Sequence, residues 1–183
     1  MWDGAVVAAK YLEAAAASLR PQLTPPYVLE LGSGTGLAGL AAAMALQLPT
    51  CLTDLPEVLP SLEANVASNP GVAELVSVAA LDWTQQPADP ASLGGPPGLI
   101  VAADCVWLEP LVQPFVACLA SVAGPTSRVL MAHQSRSNRV DSLLFGLLGE
   151  AFETEPVPRL DGEPDRGRIE LLWLRTKRGE DLG

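Results

Sequence analysis

Histidine occurs once, at His133, and the three cysteines, Cys51, Cys105 and Cys118, show no C-x-x-C spacing. No conventional zinc site can be assembled from that set. An odd number of cysteines among apolar neighbours reads as reduced core thiols in a cytoplasmic or nuclear protein, not as a disulfide framework. Basic residues are scarce: 11 lysines and arginines stand against 21 acids, a formal net charge of −10. A chain this acidic repels a phosphate backbone and an anionic bilayer, so neither nucleic acid nor membrane is expected as a partner, whereas a lysine-bearing, basic protein surface is acceptable. Nothing in the residues speaks to oligomeric state. The first residues lack a basic segment running into an apolar one, so no signal peptide is expected. Residues 31–53 carry no charge and are long enough to span a bilayer, but Gly32, Gly34, Gly36, Gly39 and Pro49 interrupt them. They read as a buried strand, a turn and a buried helix. What is abundant is alanine, 26 of 183 residues, within a chain that is 49% apolar. That length and composition suit one packed domain over residues 1–183, with no repeat and no linker.

Helical and strand patterns alternate along the chain. Asp3 is placed to cap a helix over 4–19 with Val7, Tyr11, Ala14 and Ala15 on one face. Strand 27–31, helix 37–47, strand 50–53, a helix ending near Asn69-Pro70, and strand 75–80 follow. A polar, proline-rich connection leads to 99–103, a continuous apolar run of the kind buried in a parallel sheet. Then come helix 110–122, strand 128–132, helix 138–149, and two strands, 152–157 and 169–176, with no helix between them. Strands alternating with helices predict an α/β, Rossmann-like doubly wound sheet with helices on both faces. The last two strands, joined by a loop alone, should pair antiparallel and place a reversed strand at one edge. The tail from Arg175 is expected to be mobile.

Chemistry concentrates first at Glu30-Leu31-Gly32-Ser33-Gly34-Thr35-Gly36, where a strand passes into a helix. Ligands of open α/β sheets sit beyond such strand ends. Gly34, Gly36 and Gly39 fit G-x-G-x-x-G, and Asp54 follows Gly36 by 18 residues, so a nicotinamide dinucleotide is a rival ligand. Three features favour S-adenosylmethionine. Glu30 suits an ammonium and a sulfonium, and is unhelpful beside a pyrophosphate. Asp82 and Trp83 end the third strand, where a carboxylate can accept the adenine amino hydrogen and an aromatic face can wall the ring. Finally, 183 residues leave no room for the second domain that dehydrogenases usually add.

Glu30 to Gly36, Asp54 and Asp82 together resemble the seven-strand S-adenosylmethionine methyltransferases, which implies a sheet of order 3-2-1-4-5-7-6 with strand 7 antiparallel. More narrowly, Met1-Trp2-Asp3-Gly4-Ala5, Tyr11-Leu12-Glu13, Leu29 to Leu37, Thr53-Asp54 and Asn65-Val66 resemble the methyltransferase family 16 group, small non-SET enzymes that mostly modify protein lysines. The resemblance implies that Gly32, Ser33 and Gly34 line the methionine part of the cofactor, that Asp54 takes the ribose hydroxyls, and that Asp82 and Trp83 hold adenine; by its position Asp54 could also cap the next helix, and one residue can do both. It implies that Trp2 lies against the cofactor; the alternative from its position is a simple staple between the first helix and the sheet.

Ala103-Asp104-Cys105-Val106-Trp107 contains a D-x-x-W sequence where the group has D-x-x-Y. By that resemblance Asp104 would hold the acceptor amine, and Trp107 would offer a cation–π wall. An indole lacks the phenolic hydroxyl, so any role resting on it is lost. His133-Gln134-Ser135-Arg136 follows the fifth strand and is placed to line the acceptor mouth, while Asp161, Glu163 and Asp165 form a solvated loop. Members of the group carry several tens of residues before the Trp-Asp segment that cover the site, whereas this chain begins at Met1-Trp2. The expected function is therefore methyl transfer to a protein side chain, with lysine as the leading acceptor. A small-molecule N-methyltransferase and a non-catalytic methyltransferase-fold binding module remain as alternatives.

Overall fold

A computed structural model describes residues 2–85, 90–160 and 165–177. Helix α1 (Asp3–Leu19) precedes strand β1 (Val28–Leu31), helix α2 (Leu37–Leu46), strand β2 (Thr50–Asp54), helix α3 (Leu59–Ala67) and strand β3 (Val76–Ala80). The second half comprises β4 (Leu99–Ala103), α4 (Glu109–Val122), β5 (Arg128–Gln134), α5 (Asn138–Ala151), β6 (Phe152–Pro156) and β7 (Ile169–Thr176). The seven strands form one sheet of order β3-β2-β1-β4-β5-β7-β6. Its first five strands run parallel, and β7 is antiparallel to both neighbours. The doubly wound architecture and the strand order match expectation.

Alternation along the strands divides the core in two. Leu29, Leu31, Ile100, Ala102, Val129 and Met131 face α4 and α5, where Phe115, Leu119, Leu144 and Leu148 are buried. Val28, Leu99, Val101 and Leu130 face the other way, onto α1 and α2. Those two helices meet through Ala8, Ala15, Ala38 and Ala42, whose small side chains let the backbones approach closely.

Four expectations are corrected. The reversed strand is not at the edge: β7 inserts between β5 and β6. The reason is burial, because β7 carries five buried apolar side chains, whereas β6 is polar and exposed beyond Phe152. Asp3 is the first residue of α1 and makes no cap; Trp2 occupies the N-cap position with extended backbone. The buried residues of α1 are Gly4, Ala8, Ala9, Tyr11, Leu12, Ala15 and Leu19, whereas Val7 is half-buried and Ala14 is exposed. That stripe follows the 3.6-residue period around the contact with α2. Arg175 belongs to β7, paired with Arg128 and Glu153, so only 178–183 of the expected tail lie outside the described residues, as do Asp161 and Glu163. Asp165 is described and bonds Arg159 at 3.0 Å. Among the described residues, no helix is long and apolar enough to cross a membrane, and no cluster of histidine, cysteine and acidic side chains is arranged to hold a metal.

Candidate active site

The carboxyl ends of β1 to β4 open onto a cleft of about 760 Å³. Its floor is the turn after β1. Gly32, Gly34 and Gly36 all have positive φ, which glycine adopts without steric cost. The turn is stitched to β2: the Ser33 N–H donates to the Thr53 carbonyl at 2.9 Å, the Thr53 N–H returns a bond to Ser33 Oγ at 3.1 Å, and the Thr53 hydroxyl donates to the Glu30 carbonyl at 2.6 Å. Asn65 of α3 adds a bond to the Thr35 carbonyl at 3.0 Å. A side chain at Gly32 would run into Trp83 at 3.0 Å, whereas one at Gly34 would meet nothing within 4 Å. The turn therefore offers bare backbone to the cleft.

Four acids stand at the ends of the four strands. Glu30 is 2% exposed, and its Oε2 is buried with no hydrogen-bond partner. Burial pushes its carboxyl up to about 8, outweighing the Ser33 hydroxyl and the Gly39 N–H, which act in the opposite direction. Asp54 accepts the Gly34 N–H at 2.7 Å through Oδ2 and the Leu55 N–H at 2.8 Å through Oδ1. It is not the N-cap of α3, which begins five residues later at Leu59. Asp82 accepts the hydroxyl and N–H of Thr84 at 2.7 and 2.8 Å, and these bonds hold its carboxyl below the usual range.

Asp104 closes the far end. It adopts φ 53°, an uncommon left-handed conformation for a side-chain-bearing residue. Its side chain is 2% exposed. Oδ2 accepts the Gly4 N–H at 2.9 Å, and Oδ1 accepts the Gln134 N–H at 3.0 Å, so the carboxylate ties the first turn of α1 to the end of β5. Gly4 is fitted to that bond, since a Cβ there would lie 2.7 Å from Oδ2. Arg136 approaches the same oxygen at 3.6 Å and lays its guanidinium 4.6 Å from the centre of the Trp2 ring.

Of the residues expected from sequence, Trp2, Glu30, Gly32, Ser33, Gly34, Asp54, Asp82, Trp83, Ala103, Asp104 and Trp107 all line this one cleft. Gly36 does not. It lies behind the turn, where a Cβ would strike Leu62 at 2.7 Å. Trp83 packs edge-on against Phe115, with centroids 5.3 Å apart, and its indole N–H is buried without a partner. Trp2 and Trp107 are 51% and 49% exposed, so neither is a core residue. His133 is buried away from the cleft and bonds Asp141 at 2.9 Å; Ser135 bonds the same aspartate, and Gln134 belongs to a different groove. Of that segment the Gln134 N–H and the Arg136 guanidinium reach Asp104 of the cleft. Sequence reasoning missed Cys105, whose thiol donates to the Leu31 carbonyl at 3.0 Å and whose ionisation burial suppresses. It also missed the loop from Leu55 to Val58, which walls one side. No local signal marks either.

The donor set suits a ligand with positive charge at the glycine turn, where Glu30 has a free buried oxygen, and with hydroxyl and amino donors toward Asp54 and Asp82. A pyrophosphate would set its charge against those acids.

A model of a family described as lysine methyltransferase matches residues 1–150. The chain is 31% identical over 160 residues to EEF1A lysine methyltransferase 3 of Mus musculus, covering 87% of this chain and 66% of that protein. It is 33% identical over 169 residues to the protein N-lysine methyltransferase METTL21A of Mus musculus, covering 90% and 72%. Against the protein-lysine N-methyltransferase rrg1 of Schizosaccharomyces pombe it is 29% identical and spans only 52% of that protein's length. Among solved structures, mitomycin 7-O-methyltransferase MmcR superposes with a TM-score of 0.65 at 15% identity, covering 94% of this chain and 54% of that one. Cofactor-bound Rv0187 gives 0.64 at 17%, covering 93% and 79%. At such identities these structures bear on the fold alone.

Proposed function

The chain belongs to the lysine methyltransferase family, and from that premise we propose that it is an S-adenosylmethionine-dependent methyltransferase acting on a lysine side chain of a protein substrate. The observation that carries this assignment is the unpartnered, buried Oε2 of Glu30 on the floor of the cleft. A buried polar atom without a partner is costly, and a cationic donor relieves that cost. Bound there, the cofactor supplies a methyl group made electrophilic by its sulfonium charge. Gly32, Ser33 and Gly34 present backbone to the methionine end. Asp54 accepts from the ribose hydroxyls, Asp82 accepts from the adenine amino group, and Trp83 flanks the ring. Ala103, at the end of β4, leaves space beside the reacting centre. Trp2 and Trp107 wall the acceptor end with indole faces, which orient the acceptor and exclude water. The acidic charge of the chain, −10 overall, favours a basic partner surface.

The test has two arms. Calorimetry should detect S-adenosylhomocysteine binding and no NAD binding; the opposite result ends the assignment. Labelled methyl transfer into lysate proteins, mapped by mass spectrometry, should place the label on lysine, with Trp107→Ala lowering the rate. Tight S-adenosylhomocysteine binding without any protein labelling would leave a binding module or a small-molecule enzyme instead.

A further inference from the structure

Among the described residues, the side chains lining the cleft include Glu30, Asp54, Glu57, Asp82 and Asp104 and no lysine or arginine. A lysine acceptor meets a difficulty there. Carboxylates stabilise its ammonium form, which has no lone pair to offer, and free lysine keeps its proton up to a pH of about 10.4. One fixed cation reaches the acceptor end from outside the lining. Arg136, in the loop between β5 and α5, contacts two lining residues at once: its guanidinium lies 4.6 Å from the Trp2 ring centre and 3.6 Å from Asp104 Oδ2. Its Nη2 also donates to Gln134 Oε1 at 3.1 Å, which fixes the side chain over that end. A guanidinium does not titrate in the working range.

We propose that Arg136 is a positioning residue for the methyl acceptor: its permanent charge offsets that of Asp104 and repels an ammonium beside Trp2, so that lysine occupies the transfer position as the free amine. This rests on the assignment of a lysine acceptor above. The proton passes to solvent, and no residue of the chain has to take it up. Each oxygen of Asp104 already accepts a backbone N–H, from Gly4 and from Gln134, and Arg136 stands 3.6 Å from Oδ2. Asp3 heads α1, Asp54 and Asp82 are engaged by Gly34 and Thr84, and His133 and Asp141 bond each other behind the loop. Glu30 and Cys105 lie at the buried floor, and Glu57 lies on the loop after β2. Of these, only the acids act on a lysine, and they act to keep its proton on. Arg136 is the opposing charge.

The experiment measures kcat against pH for methyl transfer to a peptide bearing the lysine that the wild-type protein labels in lysate, using wild type, Arg136→Gln and Arg136→Lys. In Arg136→Gln the ascending limb should move up by about one pH unit, a loss of about tenfold near neutrality that vanishes at high pH. Arg136→Lys should keep the wild-type limb while its own ammonium stays charged. S-adenosylhomocysteine affinity, read by calorimetry, should be unchanged in both variants. A limb that does not move while KM falls would make Arg136 a plug that substrate displaces, and would overturn the proposal. A uniform loss at every pH, with weakened S-adenosylhomocysteine binding, would reduce it to a structural prop and overturn the proposal equally. If the wild type labels no lysine at all, the lysine assignment itself fails, which is a different result.

Discussion

Glu30 shows how much a single residue's surroundings can change its chemistry. The sequence places an acid two positions before Gly32, and its usefulness to a cation follows from charge alone. What the sequence does not show is that the side chain is shut away with one oxygen unbonded, because burial arises from elements distant in the chain. The carboxyl therefore rises from its ordinary value of 4.5 to about 8. A carboxyl raised on folding contributes stability that is complete below 4.5 and is lost as pH climbs through about 8. A ligand ammonium placed against the free oxygen favours the ionised form, so binding expels the proton. Affinity for S-adenosylhomocysteine should accordingly rise with pH between about 6 and 8. Calorimetry in two buffers of different ionisation enthalpy should register one proton released near pH 7, and Glu30→Gln should abolish both effects. Affinity that is flat across that window in the wild type would refute this.

At the scale of elements, the strands were legible because β1 and β4 are short apolar runs flanked by turn residues, and the glycine turn because its spacing has few structural uses. The start of α1 was not. A local scan for a capping side chain finds Asp3, but the oxygen that meets the helix belongs to Asp104, 100 residues away. Trp2, at the N-cap, has no side chain able to do it. A carboxylate at the positive end of the helix is well placed for both its charge and its hydrogen bonding. Asp104→Asn keeps a residue that tolerates left-handed backbone but removes the charge and one of the two acceptors. It should cost roughly 1–3 kcal/mol in denaturant unfolding. Amide exchange in the first turn of α1 should quicken, while α4 and α5 stay protected. Unchanged exchange in that turn would mean that Asp104 is no anchor for the helix.

Across the whole molecule, one strand order explains why residues from 2 to 111 share a cleft: β1 to β4 are mutually parallel, so Glu30, Asp54, Asp82 and Asp104 all emerge on one rim. The same order leaves β6 at a margin of the sheet, paired among the described residues with β7 alone. Such a margin is an open invitation to another chain, because its unpaired peptide groups can template a further strand. Phe152-Glu153-Thr154-Glu155-Pro156 declines it in two ways. Pro156 has no N–H to give, and the two exposed glutamates would face each other in a symmetric pairing centred on Thr154. A triple variant, Glu153→Thr, Glu155→Thr and Pro156→Val, should show concentration-dependent association in sedimentation runs at neutral pH, beyond whatever the unmodified chain shows. If the two sediment alike, the polar margin is incidental. If they differ, three residues far from the cleft keep copies of this protein from pairing edge to edge.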